Sequence, residues 1–275
     1  VNRLLGFHGL FAKNSPALVD AFSREGNTFT PLDLPISPKA TASTNLSFLR
    51  RLTINWESRY KNSGERLIGV GHSLGALRLL QVINGLTKNP FTALILNCPV
   101  PPGDIGINLL NWREVKARFK TLGAYLPIIR QCVFSKRGWN RMVARDYETF
   151  CKYLLPSRME EAERREAFSF QRPEFGQVVR NAIFKRPTID WKKINCPVII
   201  FLGSEDNILS PDLRIGEKMI NALRNAHPRI APDFFAYQTI PNMGHYLRKA
   251  DAIKIAESAL SHFEHFKPEP VSYAM

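Results

Sequence analysis

The sequence predicts an α/β fold: a mostly parallel sheet covered by helices on both faces, with a helical segment inserted partway along the chain. Three observations carry this. Short apolar runs alternate with stretches of helical length over residues 1–99. A glycine-pinched turn, Gly71-His72-Ser73-Leu74-Gly75, joins one such run to one such stretch. The alternation breaks at Pro99-Val100-Pro101-Pro102-Gly103 and returns at Val198. The expected organisation is a core of residues 1–99 and 188–267, a helical cap of 100–187 and a tail of 268–275.

Taken in order, Val1–Phe7 reads as a strand ending at His8-Gly9, Pro16–Ser23 as a helix and Thr28–Leu34 as a strand. Pro35–Asn45 is polar and reads as a loop. Leu46–Tyr60 is helical, with Leu49, Leu52, Ile54 and Trp56 as its apolar positions. Arg66–Val70 is the buried strand before the pinched turn, Ala76–Leu86 the helix after it, and Phe91–Leu96 a further strand. The inserted segment shows helical patterns and no convincing strand. Val115, Phe119, Leu122, Leu126 and Ile129 fall at helical spacing, with a kink or break expected at Pro127. Ser157–Glu166 reads as a second helix, with Ser157 as its cap and Glu160 three residues on. Beyond it come the strand Val198–Leu202, the helix Pro211–Arg224, the strand Phe234–Ile240 and the helix Leu247–Phe263.

Composition narrows the function. The chain has 275 residues and a formal net charge of +14, and its apolar content of 44% suits a globular core. No apolar run approaches the roughly 20 residues that span a bilayer, and Val1–Phe7 is too short for a signal peptide. Cys98, Cys132, Cys151 and Cys196 are scattered with no C-x-x-C pair, so free thiols and a cytoplasmic location are expected. Between residues 100 and 187 lie 17 Lys/Arg and 9 Asp/Glu, so most of the excess positive charge belongs to the cap. That charge is either a solvated surface or a preference for anionic substrates or membranes. Nucleic acid is not expected, because no basic run is interleaved with aromatics and no nucleic-acid-binding signature is present. No metal site or cofactor is expected, since the histidines are scattered and no acid–histidine spacing suggests a cluster. Gly69-x-Gly71-x-x-x-Gly75 is one residue too long for a dinucleotide fingerprint. Nothing in the sequence fixes an oligomeric state.

The chemistry centres on Ser73. A G-x-S-x-G turn between a strand and a helix is a nucleophile elbow: it lifts the serine hydroxyl clear of the sheet, and the glycines two residues away avoid collisions that a Cβ would make. A serine hydroxyl needs a base within hydrogen-bond reach and a third group to orient that base. Asp206 follows one strand in Gly203-Ser204-Glu205-Asp206, and His245 follows another in Pro241-Asn242-Met243-Gly244-His245. Both lie where open α/β sheets place their ligands, and the order serine, acid, histidine is that expected of the elbow. Glu205 is the rival acid.

These residues resemble the α/β-hydrolase superfamily of esterases, lipases and C–C hydrolases. His8-Gly9, Asp33-Leu34-Pro35, the Ser73 elbow, Ile194-Asn195-Cys196-Pro197, Gly203-x-x-Asp206 and Gly244-His245 carry the resemblance. It covers about 1–99 and 188–265, with the cap after the strand that the family counts as sixth. Two positions depart from the pattern: Ala76 stands where glycine is common, and the loop after Asp33 lacks its usual glycines. The resemblance implies Ser73 as nucleophile, His245 as general base and Asp206 as orienting acid. It also implies an oxyanion hole from the backbone N–H groups of Leu74 and Leu10, with Phe11 the alternative to Leu10. His8 is expected to brace the oxyanion loop, His72 to pack beside the elbow, and His227, His262 and His265 to be bystanders. Cys98 reads as a buried, inert thiol near the site. Met142, Phe134, Trp139 and Phe150 read equally as pocket lining or as packing of the cap.

The expected activity is hydrolysis of a carboxylic ester or thioester with an apolar acyl part through an acyl-enzyme. Three alternatives stay open. A C–C hydrolase or lyase-like member uses the same triad. A non-catalytic member holds a small molecule as a receptor. A membrane-associated lipase would lay the helix around Val115–Ile129 on an anionic bilayer, with Lys116, Arg118 and Lys120 facing the headgroups.

Overall fold

In the computed structural model, residues 2–9, 16–24, 26–32, 42–60, 63–106 and 110–266 are described. The elements run β1 (Asn2–Phe7), α1 (Pro16–Phe22), β2 (Thr28–Leu32), α2 (Ala42–Tyr60), β3 (Arg66–His72), α3 (Leu74–Asn84) and β4 (Ala93–Asn97). Next come α4 (Trp112–Val133), β5 (Met142–Val143), α5 (Tyr147–Leu154), α6 (Glu161–Ser169), β6 (Glu174–Phe175) and α7 (Gly176–Phe184). The chain closes with β7 (Val198–Gly203), α8 (Ile215–Ala226), β8 (Phe235–Ile240) and α9 (Lys249–Glu264).

Six strands form one parallel sheet in the order β2-β1-β3-β4-β7-β8. The inner strands β4 and β7 are buried at every position, which is why they read as unbroken apolar runs; the edge strand β8 is exposed in its middle. Sheet order reverses between β1 and β3, so their C-terminal ends open the crevice where such sheets bind ligands. Helices cover the sheet: α1 packs on α9, α2 on α3, α3 on β3, and α8 on β7 and β8.

Four differences from the sequence expectation have local causes. The segment between β4 and β7 holds a two-stranded antiparallel pair, Met142 with Phe175 and Val143 with Glu174, too short to leave a periodic signal. Helix α4 runs through Pro127 without ending. Pro127 lies half-exposed on the helix, while Ala124, Tyr125, Ile128 and Cys132 stay buried on either side. Ser157 caps no helix: its N–H and its hydroxyl both donate to the Glu205 carboxylate, at 2.9 and 3.0 Å, and α6 starts later, after Glu160. Residues 211–213 form a 3₁₀ turn that a left-handed Arg214 (φ 51°) separates from α8. In addition, α2 begins at Ala42, inside the expected loop. The expected tail, Val1, Leu10, Phe11 and the Asp33-Leu34-Pro35 stretch lie outside the described residues.

Candidate active site

β3 delivers the chain to Ser73 at the centre of the sheet. Ser73 has φ 54° and ψ −122°, a conformation that costs a non-glycine residue of order 1–3 kcal/mol and persists only where the surroundings enforce it. Its N–H donates to Asn97 O at 2.9 Å, and its carbonyl accepts from Ala76 N and Val100 N, both at 3.1 Å. A Cβ at Gly71 would stand 2.4 Å from the Ala76 Cα, and one at Gly75 would stand 2.0 Å from the Phe7 carbonyl oxygen. The two glycines are therefore required by contact. Gly9 is close too: its Cβ would meet the Ser73 Cβ at 3.0 Å.

Two further strand ends converge on Ser73. His245 Nε2 lies 2.8 Å from Ser73 Oγ, and His245 Nδ1 lies 2.8 Å from Asp206 Oδ2. The other oxygen of Asp206 accepts from the N–H groups of Ile208 (2.8 Å) and Leu209 (2.7 Å). All three side chains are buried. Burial alone would raise the Asp206 carboxyl, but His245 and these two N–H groups outweigh it and hold the carboxyl below its usual range. The rival Glu205 is half-buried and taken up by Ser157. Its carboxyl is held low, first by the Ser157 N–H.

Cys98 completes a buried group with Asp206 and His245 whose ligand atoms lie within 4.8 Å of one another, the one grouping of metal-binding size among the described residues. It does not suit a metal, because both Asp206 oxygens and both His245 nitrogens are already engaged. Burial and then the Asp206 charge push the Cys98 thiol well above its ordinary range, so it remains a neutral thiol.

Leu74, the first residue of α3, contributes one of the N–H groups that a helix start leaves without an intrahelical partner. That N–H and the positive end of the helix dipole suit a developing oxyanion. Leu10 and its alternative Phe11 lie outside the described residues. His72 lies beside the elbow with its ring centroid 5.4 Å from that of His245, and its Nδ1 is 2.7 Å from Asn97 Nδ2. Its pKa is pushed down to about 3, by burial first and then by His245. His227 meets the Trp191 carbonyl, and His262 packs on Phe263 and Phe266, both away from Ser73. Phe150 is fully buried against Phe168 and Tyr246, Trp139 packs on Phe184, and Phe134 is exposed.

Sequence reasoning missed Arg172, which reaches across 164 positions to donate to His8 Nε2 at 2.8 Å. An arginine only donates, so Nε2 is unprotonated and His8 Nδ1–H donates to the Gly9 carbonyl, also at 2.8 Å. Burial, then Arg172 and Arg78, push the His8 pKa down to about 3. Below roughly pH 6.5 the unfolded chain takes up a proton that native His8 refuses. Stability is therefore expected to fall on acidification, by roughly 1.4 kcal/mol per pH unit from this residue, until its folded pKa is reached. Urea unfolding from pH 6 to 4.5 checks this: the slope of stability against pH should be shallower by one proton in His8→Asn, and equal slopes would contradict it.

A largely apolar cavity lies against this site. Leu74, Val100, Ile208 and Leu209 form its near wall, and α4 and α7 supply the far side through Thr121, Tyr125, Ala182 and Ile183, with Arg118 and Arg186 also lining it. Sequence gave no signal for this meeting, because α4 and α7 are brought over the site only by folding.

With that geometry in place, the sequence profile described as "Alpha/beta hydrolase family" matches residues 4–256. The chain belongs to the alpha/beta hydrolase family. Solved structures of the fold agree along nearly the whole chain. Tomato methylketone synthase I complexed with 2-tridecanone is 15% identical, covers 97% of this α/β-hydrolase chain and 99% of its own, and has a TM-score of 0.66. The methylesterase MES16 from Arabidopsis is 14% identical with 95% and 99% covered and a TM-score of 0.60. The monoacylglycerol lipase of Paleococcus ferrophilus is 13% identical with 94% of each chain covered and a TM-score of 0.58. At such identities the likeness is one of fold, and this α/β-hydrolase fold hosts several chemistries. No curated protein matches the chain by sequence search. Among the described residues, no helix is long and apolar enough to cross a membrane.

Proposed function

We propose that this α/β-hydrolase is a serine hydrolase acting on a carboxylic ester or thioester with an apolar acyl part. The observation that carries the reading is the unbroken line Ser73 Oγ–His245–Asp206 at 2.8 Å per step, set on a left-handed elbow. In this reading His245 takes the Ser73 proton as Oγ attacks the carbonyl carbon. The Leu74 N–H, with that of Leu10 or Phe11, holds the tetrahedral oxyanion. His245, steadied by Asp206, returns the proton to the leaving group, and water activated by His245 releases the acyl-enzyme. A receptor would have no use for the base. Residues 100–187 act as the cap over a core of 1–99 and 188–267, and the four unpaired cysteines suit a reducing, cytoplasmic setting. Hydrolysis of a p-nitrophenyl ester series from acetate to palmitate tests the reading: a burst and a chain-length optimum, both lost in Ser73→Ala, support it. A folded protein that cleaves no ester overturns it.

The cap's outward face supports a membrane partner for the same enzyme. The exposed residues of α4 are Trp112, Phe119, Leu126 and Val133, one every seven positions, together with Arg113, Lys116, Lys120 and Arg130; none is acidic. Arg118 lies among the cavity residues rather than with this set. An exposed face built only of apolar and basic side chains fits the surface of an anionic bilayer. The chain should co-sediment with phosphatidylserine vesicles at low salt and lose most of that binding in Trp112→Ser/Phe119→Ser. Binding that ignores salt and acidic lipid would contradict the charge contribution.

A further inference from the structure

The cavity beside Leu74 carries two positive charges that the hydrolytic chemistry does not use. Arg118 on α4 and Arg186, just after α7, both line it and are both half-buried. Among the described residues, neither forms an ion pair. Two acids close to these segments, Glu114 and Asp104, are engaged elsewhere. Glu114, one helical turn before Arg118, is paired with Lys218 of α8. Asp104 accepts from the Ile189 N–H at 3.1 Å and from the Trp191 indole N–H at 2.6 Å. Each guanidinium is tethered by one end only, Arg118 Nη2 to the Ile183 carbonyl at 3.5 Å and Arg186 Nη1 to the Pro101 carbonyl at 3.2 Å. A guanidinium has five N–H donors, so most of each fork is unspent.

Two like charges beside one apolar cavity repel each other and are partly desolvated. Burial lowers the pKa of both, and the Arg118 charge lowers that of Arg186 further. An arrangement of this kind is costly when empty and is relieved by an anion. Arginine forks bind carboxylates through paired, charge-assisted hydrogen bonds. The rest of the cavity lining is mostly apolar, which calls for an apolar spacer on the same molecule.

We propose that Arg118 and Arg186 form an anion subsite, and that the preferred substrate is an ester or thioester bearing a carboxylate at the end of its apolar part remote from the scissile carbonyl. This rests on the serine-hydrolase reading above. The charged end fixes the register of the chain in the cavity and excludes purely aliphatic competitors, whose entry would leave both guanidinium groups uncompensated.

The test compares mono-p-nitrophenyl adipate with its neutral methyl ester, and 4-acetoxybutanoate with its methyl ester. The first pair places the carboxylate on the acyl side, the second on the alcohol side. Wild type should favour the anionic member of one pair by about tenfold or more in kcat/KM. That preference should fall by about 10–100-fold in Arg118→Gln/Arg186→Gln, with the melting temperature confirming a folded variant. Ser73-dependent turnover with no charge preference, or with a preference the double variant keeps, overturns the subsite and leaves the hydrolase reading standing. If no ester is cleaved, that reading fails instead, and calorimetric titration with adipate then tests the subsite. Binding to wild type that the double variant loses supports it; absence of binding overturns it.

Discussion

Ser73→Ala is expected to lower ester turnover by about 10⁵-fold or more while leaving the fold intact. The serine side chain is small, and its loss removes one hydrogen bond, to His245 Nε2. The backbone that holds residue 73 left-handed is tied by its N–H to Asn97 and by its carbonyl to Ala76 and Val100, and alanine keeps all of these. Asp206→Asn is expected to cost about 10⁴-fold. The amide would retain a contact to His245 but would no longer supply a negative charge to orient and stabilise the imidazolium. Because the three groups act as a unit, Ser73→Ala/His245→Ala should be little worse than Ser73→Ala alone. Steady-state kinetics with circular dichroism on each variant decides this. Substantial turnover by folded Ser73→Ala would remove Ser73 from the chemistry.

Gly75→Ala carries the largest expected loss of stability, above about 4 kcal/mol, which for a chain of this size lowers the melting temperature by roughly 10 °C. The added Cβ would lie 2.0 Å from the Phe7 carbonyl oxygen and 2.5 Å from that of His8. Both obstacles are backbone at the end of β1, so no rotamer change relieves them; α3 and β1 must part. Parting them also shifts the Leu74 N–H, so any folded fraction should be a poor catalyst. Gly64→Ala is the contrast. Gly64 has φ +70° with open space around it, so only the conformational cost of roughly 1 kcal/mol applies. Thermal unfolding of the two variants separates steric collision from backbone preference, and comparable losses would contradict the collision.

Much of this was legible because the signals are local. The alternation of apolar runs and helical stretches placed the six sheet strands and nearly all the helices around them. The glycines of Gly71-His72-Ser73-Leu74-Gly75 marked a turn whose tightness depends on its own residues. Asp206 and His245 were readable because each follows a strand by a short loop, and strand ends of a parallel sheet meet at one edge. What was illegible depends on partners distant in sequence. Ser157 looked like a helix cap until Glu205, 48 residues away, took both its donors. Pro127 looked like a break until buried neighbours on both sides held α4 together. The two-residue strands β5 and β6 exist only because each finds the other.

By itself, the sequence determined the parallel sheet, the elbow and the three residues that meet at it, since burial, chain stiffness and glycine sterics act over a few neighbouring positions. Only the tertiary structure decided what surrounds them: Arg172 on His8, Glu205 turned away to Ser157, Arg118 and Arg186 together at one cavity, and an α4 face left to solvent with apolar and basic side chains alone. Those outcomes are set by packing between residues 48 to 164 positions apart, and side-chain charge and burial there follow from the fold rather than from any pattern along the chain.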